Sequence, residues 1–280
     1  MGMPENEFEK KLAKLQFVIE GYGSLLTAYS GGIDSTLIAV VARQVLGKTK
    51  GVAVIADSPS LPRYELEEAV AIAARHDIDL VVAKPGEMDD AGYVRNEGDR
   101  CYFCKSHLYE SVEQVAEMRG TEWVANGTNL DDLGDYRPGL KAAEEAKVVS
   151  PLVEAGMDKR DVREIAKLVG IQSWDKPAAA CLSSRIPYGV PVTKERLERV
   201  EGAERGLRSL GMRAFRVRHH EDVARVELNQ DDLVRVVGDV DLRQRVIGVV
   251  KAAGYTYVSV DLEGFRSGSG NLVLTINQSE

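Results

Sequence analysis

Short apolar segments alternate with stretches of helical periodicity through the first two-thirds of the chain, and this alternation limits the possible fold more than any other feature. Buried strands are predicted at residues 24–29, 51–56, 80–83, 123–125 and 148–152, with helices between them. Strands that alternate with helices form a parallel sheet with right-handed crossover connections. We therefore predict an α/β fold with a doubly wound parallel sheet, which binds ligands beyond the carboxyl ends of its strands.

The last third of the chain shows a different pattern. After a segment with two prolines, the sequence predicts a long helix, two paired strands, two short helices and a final strand. This pattern is typical of a small α+β domain. We expect a boundary near residue 187, with the doubly wound domain at residues 1–186 and the smaller domain at residues 187–280.

The composition narrows the possible partners. The 280 residues include 36 Lys and Arg against 44 Asp and Glu, which gives a formal net charge of −8, and only 6% are aromatic. An acidic chain with few aromatic side chains is poorly suited to bind nucleic acid. No apolar run approaches the ~20 residues of a membrane span, and the charged N-terminus lacks the apolar core of a signal peptide. We therefore expect a cytoplasmic protein that binds neither nucleic acid nor a membrane.

A loop with two adjacent glycines follows the first predicted strand. The heptapeptide Ser30-Gly31-Gly32-Ile33-Asp34-Ser35-Thr36 connects that strand to a helix. The glycines allow a tight turn that exposes N–H groups, and these donors, the loop hydroxyls and the positive end of the helix all favour a phosphate. The loop lacks the lysine of a Walker motif and the third glycine of a dinucleotide-binding motif. The sequence therefore predicts a phosphate site of another type, with a capped glycine turn as the alternative.

This heptapeptide resembles the motif of the PP-loop ATP pyrophosphatases. In that family the loop holds the β- and γ-phosphates while ATP is cleaved between its α- and β-phosphates, and a substrate is adenylated. The resemblance implies ATP and Mg²⁺ as cofactors, and Asp34 is the nearest carboxylate in the loop for the metal. It implies an ATP site formed by residues around this loop and after two other strands, namely Ala28, Ser30, Gly31, Gly32, Asp34, Ser35, Thr36, Asp57, Gly127 and Asn129.

The chain contains three cysteines, and this odd number argues against a disulfide framework. Cys101 and Cys104 form a CxxC motif, His107 follows three residues later, and Cys181 is distant in sequence. The residues leave four interpretations open. They are a zinc site of three cysteines and His107, a redox-active CxxC, three thiolates on a 4Fe–4S cluster, and Cys181 as a sulfur donor with a pKa lowered by Arg185.

The segment around Cys181, residues 175–189, resembles one PP-loop subfamily, the LarE-type sulfur transferases that make the nickel-pincer nucleotide. Residues 135–139, 216–220 and 266–271 match further blocks of that subfamily, so the resemblance covers nearly the whole chain. It implies a small nucleotide substrate, pyridinium-3,5-biscarboxylic acid mononucleotide. ATP adenylates one carboxylate of this substrate, and a sulfur nucleophile displaces AMP to give a thiocarboxylate.

The same resemblance implies a role for the cysteines. Some members carry only the cysteine that matches Cys181 and sacrifice its sulfur. Members with three cysteines bind a 4Fe–4S cluster, whose open iron is thought to deliver sulfide. By this resemblance Cys101, Cys104 and Cys181 are both the catalytic residues and the cluster ligands, with zinc or no metal as the alternative.

Two arginines of the smaller domain are candidates for the substrate phosphate. Arg216 and Arg218 are two residues apart on a predicted strand, so their side chains share one face, and guanidinium groups bind phosphate in bidentate fashion. The resemblance places the substrate phosphate there. Further candidates for the substrate site are Arg137, Arg185 and Glu204. For Glu204, the sequence favours a solvated helix face over contact with the substrate.

Rival functions remain at the level of the sequence. A tRNA thiolase shares the loop and paired cysteines, an ammonia-dependent amide ligase shares the loop and needs no cysteine, and a zinc-stabilised scaffold would bind nucleotide without catalysis. The sulfide source stays unknown. Since members of the subfamily form oligomers, we expect a homo-oligomer.

Overall fold

The computed structural model describes residues 7–133, 138–174 and 180–266. The chain divides into two compact units, and the first comprises Met1–Glu87 and Cys101–Ala179. The second comprises Met88–Arg100 and Ala180–Glu280. The division therefore falls before the expected boundary at residue 187, and a segment from the middle of the first predicted domain joins the second unit.

Strands that alternate with helices build the first unit, which confirms the predicted α/β class. Its four-stranded sheet has the order β3-β2-β1-β4, and every pair is parallel. The strands are β1 (Leu25–Ala28), β2 (Gly51–Ala56), β3 (Asp79–Ala83) and β4 (Trp123–Ala125). Because the strands are parallel, the loops after β1, β2 and β4 leave the sheet at the same edge.

Eleven α-helices lie within the described ranges. They are α1 (Glu7–Gly21), α2 (Ile33–Leu46), α3 (Arg63–Arg75), α4 (Ala91–Val94), α5 (Arg100–Arg119), α6 (Pro138–Glu145), α7 (Pro151–Glu154), α8 (Lys159–Leu168), α9 (Lys194–Ser209), α10 (Gln230–Gly238) and α11 (Val240–Ala252). Short 3₁₀ helices span Glu87–Asp89, Leu130–Asp132 and Leu182–Arg185. None of the helices in this part of the chain is both long and apolar enough to cross a membrane.

Helix α2 forms the centre of the first core. Every residue from Ser35 to Ala42 is buried, because the helix contacts β1 and β2 on one side and α1 and α8 on the other. Leu15 of α1 and Ile165 of α8 are fully buried in the same cluster. Each large side chain buried in this way contributes roughly 1.5–3 kcal/mol. This packing fixes α2, and therefore its N-terminus, against the sheet.

One predicted strand is largely absent from the sheet. Residues 148–152 are predicted as a strand, but only Val149 pairs, in an isolated parallel bridge with Ala125. Pro151 and Leu152 instead begin α7. Proline at the first helical position lacks an N–H that would be unsatisfied there anyway, and its fixed φ suits a helix.

The second unit contains a three-stranded sheet with helices α9, α10 and α11. Its strands are β5 (Phe215–His220), β6 (Val223–Leu228) and β7 (Tyr257–Val260), in that order across the sheet. The β5–β6 pair is antiparallel and the β6–β7 pair is parallel. Its core is separate from that of the first unit and includes Leu207, Phe215, Val226 and Val250. The predicted smaller α+β region is confirmed.

Candidate active site

The loop between β1 and α2 is shaped to hold an anion. Gly31 has a φ of 72°, and a Cβ added there would lie 2.7 Å from the Cβ of Ala69. Gly32 is the N-cap of α2 and brings no side-chain acceptor to the first N–H groups of the helix. Helix N-terminal N–H groups without an intrahelical partner are a ready site for phosphate.

The hydroxyl groups of the loop hold its conformation. Ser35 Oγ accepts a hydrogen bond from Ser30 N at 3.1 Å and donates to the Gly32 carbonyl at 3.1 Å. Thr36 Oγ1 donates to the same carbonyl at 2.8 Å. Ser35 and Thr36 are buried, whereas Ser30 is exposed and Ala28 is half-buried at the end of β1. Ser30 Oγ accepts a hydrogen bond from Gly32 N at 3.3 Å and lies 3.1 Å from Ser35 Oγ, so all three hydroxyls stabilise the turn. Ser30 is the one of the three residues that is exposed.

The loop after β4 contacts the loop after β1. A Cβ added to Gly127 would lie 2.8 Å from Ser35 N, so the two backbones approach too closely for any other residue. Asn129 Nδ2 donates to Asp34 Oδ1 at 2.9 Å, and Asn129 is fully buried. The structure thus brings together four of the predicted nucleotide-binding residues at the carboxyl edge of the sheet.

The carboxyl group of Asp34 sits in a mixed electrostatic environment. Burial is the largest effect and raises the pKa of Asp34 above its ordinary value, and the nearby carboxylate of Asp132 acts in the same direction. The hydrogen bond from Asn129 and the positive charge of Lys159 lower the pKa by a smaller amount. Lys159 Nζ lies 3.3 Å from Asp132 Oδ1. Lys159 was not predicted as a site residue, although the sequence places it at the start of a helix that Asp158 caps. A divalent cation would favour the ionised form of Asp34 and would balance the adjacent Asp132.

Asp57 stabilises the loop after β2. Its carboxylate forms an ion pair with Arg63, and its N–H donates to the carbonyl of Ala83 at 2.7 Å. Arg63 Nη2 also donates to the carbonyls of Ser58 and Leu61 at 2.6 and 2.7 Å. The Asp57 side chain therefore stabilises the conformation of its own loop through Arg63.

In the second unit, two predicted substrate residues bind each other. Arg185 and Glu204 form a bidentate ion pair, with Nε–Oε1 at 2.9 Å and Nη2–Oε2 at 3.1 Å, and their residues are only 2% and 3% exposed. The remaining Arg185 nitrogen donates to the carbonyls of Ala180 and Cys181 at 2.7 and 2.9 Å. The alternative of a solvated face for Glu204 is therefore wrong, and Arg185 fixes the backbone at Cys181.

The two arginines of β5 differ in their surroundings. Arg218 is buried and donates to both carboxylate oxygens of Glu227, at 3.0 and 2.9 Å, and to the carbonyl of Ser184 at 2.8 Å. Arg216 is half-buried, donates to the carbonyl of Phe215 at 2.7 Å and lies 4.8 Å from the ring centroid of Phe265. Arg216 is therefore the more accessible of the two to a ligand. Arg137, the other predicted substrate residue, lies outside the described residues.

The three cysteines are present as thiols. Cys101 is exposed and Cys104 half-buried, and both lie in the first two turns of α5, three residues apart on one helix face. Cys181 is half-buried and is the N-cap of the 3₁₀ helix Leu182–Arg185. His107 Nδ1 lies 3.4 Å from a carboxylate oxygen of Glu110. Among residues 7–133, 138–174 and 180–266, no three His, Cys, Asp or Glu side chains are grouped for a metal ion.

Comparison with known proteins places the chain in a family. A family model described as NAD synthase matches residues 9–89, which include the loop after β1. An uncharacterised protein of Synechocystis is 45% identical over 267 residues, which cover 95% of this chain and 99% of the relative. A glutamine-hydrolysing GMP synthase component of Archaeoglobus fulgidus is 24% identical over 202 residues, or 65% of this chain and 63% of the relative.

One relative carries a specific name. The pyridinium-3,5-bisthiocarboxylic acid mononucleotide synthase of Lactiplantibacillus plantarum is 37% identical over 265 residues, which cover 95% of each chain. The alignment therefore includes both units and the segments around all three cysteines. The chain belongs to the family of this synthase, the LarE-type ATP-dependent sulfur transferases with a PP-loop.

Proposed function

We propose that this enzyme uses ATP to convert a carboxylate of pyridinium-3,5-biscarboxylic acid mononucleotide to a thiocarboxylate in the synthesis of the nickel-pincer nucleotide. One observation carries the proposal. The glycine loop at the N-terminus of α2 meets Gly127 and Asn129 of the loop after β4, and this packing places the N-terminus of the helix beside the carboxylate of Asp34. The name of the Lactiplantibacillus plantarum relative supports the choice of substrate.

The first step is adenylation. An oxygen of the substrate carboxylate attacks the α-phosphorus of ATP, the bond to the bridging oxygen breaks, and pyrophosphate leaves. The backbone N–H groups at the N-terminus of α2 and the hydroxyl of Ser30 would bind the departing pyrophosphate. Mg²⁺ would bind the phosphates with Asp34 as its protein ligand, aided by the second carboxylate of Asp132.

The second step is sulfur transfer. A sulfide nucleophile attacks the carbonyl carbon of the acyl adenylate, the carbon–oxygen bond to phosphate breaks, and AMP leaves with that oxygen. The half-buried Arg216 would bind the phosphate of the substrate. Arg185 and Glu204 support this step indirectly, because their ion pair holds the backbone of Cys181.

The cysteines suit a 4Fe–4S cluster by their chemistry. Thiolates are the usual ligands of such clusters, and Cys101 and Cys104 present two thiols on one helix face. With Cys181 as the third ligand, one iron would be left to carry the sulfide that the reaction consumes. In the alternative route, Cys181 itself attacks the acyl adenylate, and elimination from the resulting thioester leaves dehydroalanine and the thiocarboxylate.

Purification without oxygen, followed by iron and acid-labile sulfide assays, tests the cluster. We expect about four irons and four sulfides per chain. We also expect Cys101→Ser, Cys104→Ser and Cys181→Ser each to abolish thiocarboxylate formation while AMP and pyrophosphate still form. Full activity of Cys101→Ser, with loss of the mass of H₂S from the wild-type chain after turnover, would establish the sacrificial route instead.

The same variants separate this function from an amide ligase. If the enzyme were an amide ligase, a variant that lacks all three cysteines would keep its full activity. If it is a sulfur transferase, that variant should make no thiocarboxylate.

The cytoplasmic location, the homo-oligomeric state and the absence of a nucleic-acid partner stay predictions. A gel shift with bulk tRNA at moderate salt checks the last of these, and we expect no retarded band.

A further inference from the structure

A fully buried asparagine joins two segments of the second unit that are distant in sequence. Asn96 has a φ of 60°, in the left-handed region. Its Nδ2 donates to the carbonyls of Pro187 and Val190 at 2.8 and 2.9 Å, with a weaker contact to Ile186 at 3.3 Å. Its own carbonyl accepts from Gly189 N at 3.0 Å. One residue thus binds both ends of the turn that follows the Cys181 segment.

Two neighbours of Asn96 extend this connection. Arg100 is only 4% exposed, and its Nη1 donates both to Asn96 Oδ1 and, at 3.0 Å, to the carbonyl of Ser183. Tyr93 and Ser183 share a hydrogen bond of 2.6 Å between their hydroxyl groups. We call Tyr93, Asn96 and Arg100 the Asn96 clamp. Its buried hydrogen bonds explain why residues 88–100 belong to the second unit.

Arg100 of the clamp and its partner Ser183 both lie close to a cysteine in the sequence. Arg100 is covalently joined to Cys101, and Ser183 is two residues from Cys181. The carbonyl of Cys181 is itself bound by Arg185. The backbone leading into Cys101 and the backbone after Cys181 are therefore tied to each other inside the second unit.

We propose that Asn96 and Arg100 are positioning residues for sulfur delivery, because within the second unit they hold the backbone that leads into Cys101 against the backbone that follows Cys181. This inference rests on the proposed function, in which both cysteines act in one step. Buried hydrogen bonds to carbonyls are well suited to such a role, since breaking them leaves polar groups unsatisfied and lets the two segments move apart. A displacement of about 1 Å can lower a rate by about 100-fold.

A distance measurement tests the clamp directly. In the full chain carrying Cys104→Ser, nitroxide labels on Cys101 and Cys181 report the distribution of their distances by pulsed electron spin resonance. We expect a single narrow distribution, which Asn96→Gly broadens and shifts to longer distances. Glycine keeps the left-handed backbone without strain and removes only the side chain. An unchanged distribution in Asn96→Gly would overturn the proposal.

Asn229→Gly is the matched control. Asn229 caps α10 in the same unit, accepts from Asp232 N at 2.9 Å and donates to its side chain at 2.8 Å. Its loss should lower stability but leave the distance distribution as it is. Equal broadening in this control would show a general loosening of the second unit and would also overturn the proposal.

The two steps of the reaction provide a second readout. Asn96→Gly should lower thiocarboxylate formation by roughly 10- to 100-fold, while substrate-dependent exchange of pyrophosphate into ATP stays within about twofold. Arg100→Lys, which keeps a charged donor, should retain more sulfur transfer than Arg100→Met. Equal losses in exchange and in transfer would indicate a merely structural role. If the wild-type enzyme makes no thiocarboxylate, the proposed function fails, and the spin-label distances still decide the clamp.

Discussion

The candidate sites of the two units use opposite kinds of groups. In the first unit, the groups offered to a ligand belong to the backbone, namely the glycine loop and the N-terminus of α2. In the second unit, the charged side chains of Arg185 and Arg218 each engage a buried carboxylate in bidentate fashion. Because their guanidinium groups are buried and bonded to these carboxylates, Arg185 and Arg218 have few N–H donors available for a bound anion.

The two units therefore contribute in different ways. In the proposed function, the first unit would bind the polyphosphate through a fixed backbone, which costs no reorganisation when the ligand arrives. The second unit uses its buried ion pairs to fix backbone positions around Cys181. The acidic net charge is consistent with this arrangement, since neither site depends on a broad positive surface.

The largest expected effect concerns the buried pair of the second unit. Glu204→Gln leaves Arg185 without its partner in a buried place, and we expect the free energy of unfolding to fall by about 3–5 kcal/mol. The control is Glu198→Gln, whose exposed carboxylate lies 3.9 Å from Lys194; its effect should stay below about 0.5 kcal/mol. Urea denaturation measures both. Similar small losses in the two variants would mean that Arg185 is not held by Glu204.

The second prediction concerns the backbone site of the first unit. Gly127→Ala places a Cβ 2.8 Å from Ser35 N, and backbone atoms cannot give way as a flexible side chain can. Strain of about 1–3 kcal/mol at this point should weaken ATP binding by roughly 10- to 100-fold. Isothermal titration calorimetry measures the dissociation constant. Gly248→Ala, where an added Cβ meets nothing within 4 Å, should leave it unchanged; equal affinities in both variants would contradict the close approach.

The third prediction separates the arginines of β5. Arg216→Ala removes the half-buried guanidinium, and we expect the KM for the phosphorylated substrate to rise by about tenfold, the value of one charge-assisted hydrogen bond. ATP affinity should not change. Arg213→Ala, which removes an exposed arginine just before the same strand, is the control and should leave the KM unaltered. An unaltered KM in Arg216→Ala would remove this arginine from the substrate site.

The smallest expected effect concerns the charge of Asp34. Burial raises its pKa, so its ionised form destabilises the folded state at neutral pH, and this cost disappears once the pH falls below the pKa of about 3.9 in the unfolded chain. Asp34→Asn should therefore increase the free energy of unfolding near pH 7 more than near pH 4, while weakening Mg²⁺-dependent ATP binding. Urea denaturation at both pH values measures the first effect. A gain that does not depend on pH would show that the charge of Asp34 is not the cause.

The sequence predicted the features that depend on local patterns. The apolar runs at β1 and β2 and the glycines of the loop after β1 lie where they were expected, because strand alternation and tight turns are decided by neighbouring residues. Partners distant in sequence could not be anticipated. The pairing of Arg185 with Glu204 and the bonds of Asn96 to residues near 187 exist only in the folded chain, and Val149 forms one bridge because Pro151 begins a helix.

The central claim is that the enzyme exchanges a carboxylate oxygen for sulfur at the expense of ATP. Anaerobically purified enzyme is incubated with pyridinium-3,5-biscarboxylic acid mononucleotide, ATP, Mg²⁺ and sulfide, and nucleotides and products are followed by liquid chromatography and mass spectrometry. We predict AMP and pyrophosphate in equal amounts, together with a product in which one oxygen is replaced by sulfur. An unchanged substrate without AMP formation, or a product that carries nitrogen in place of sulfur, would contradict this account.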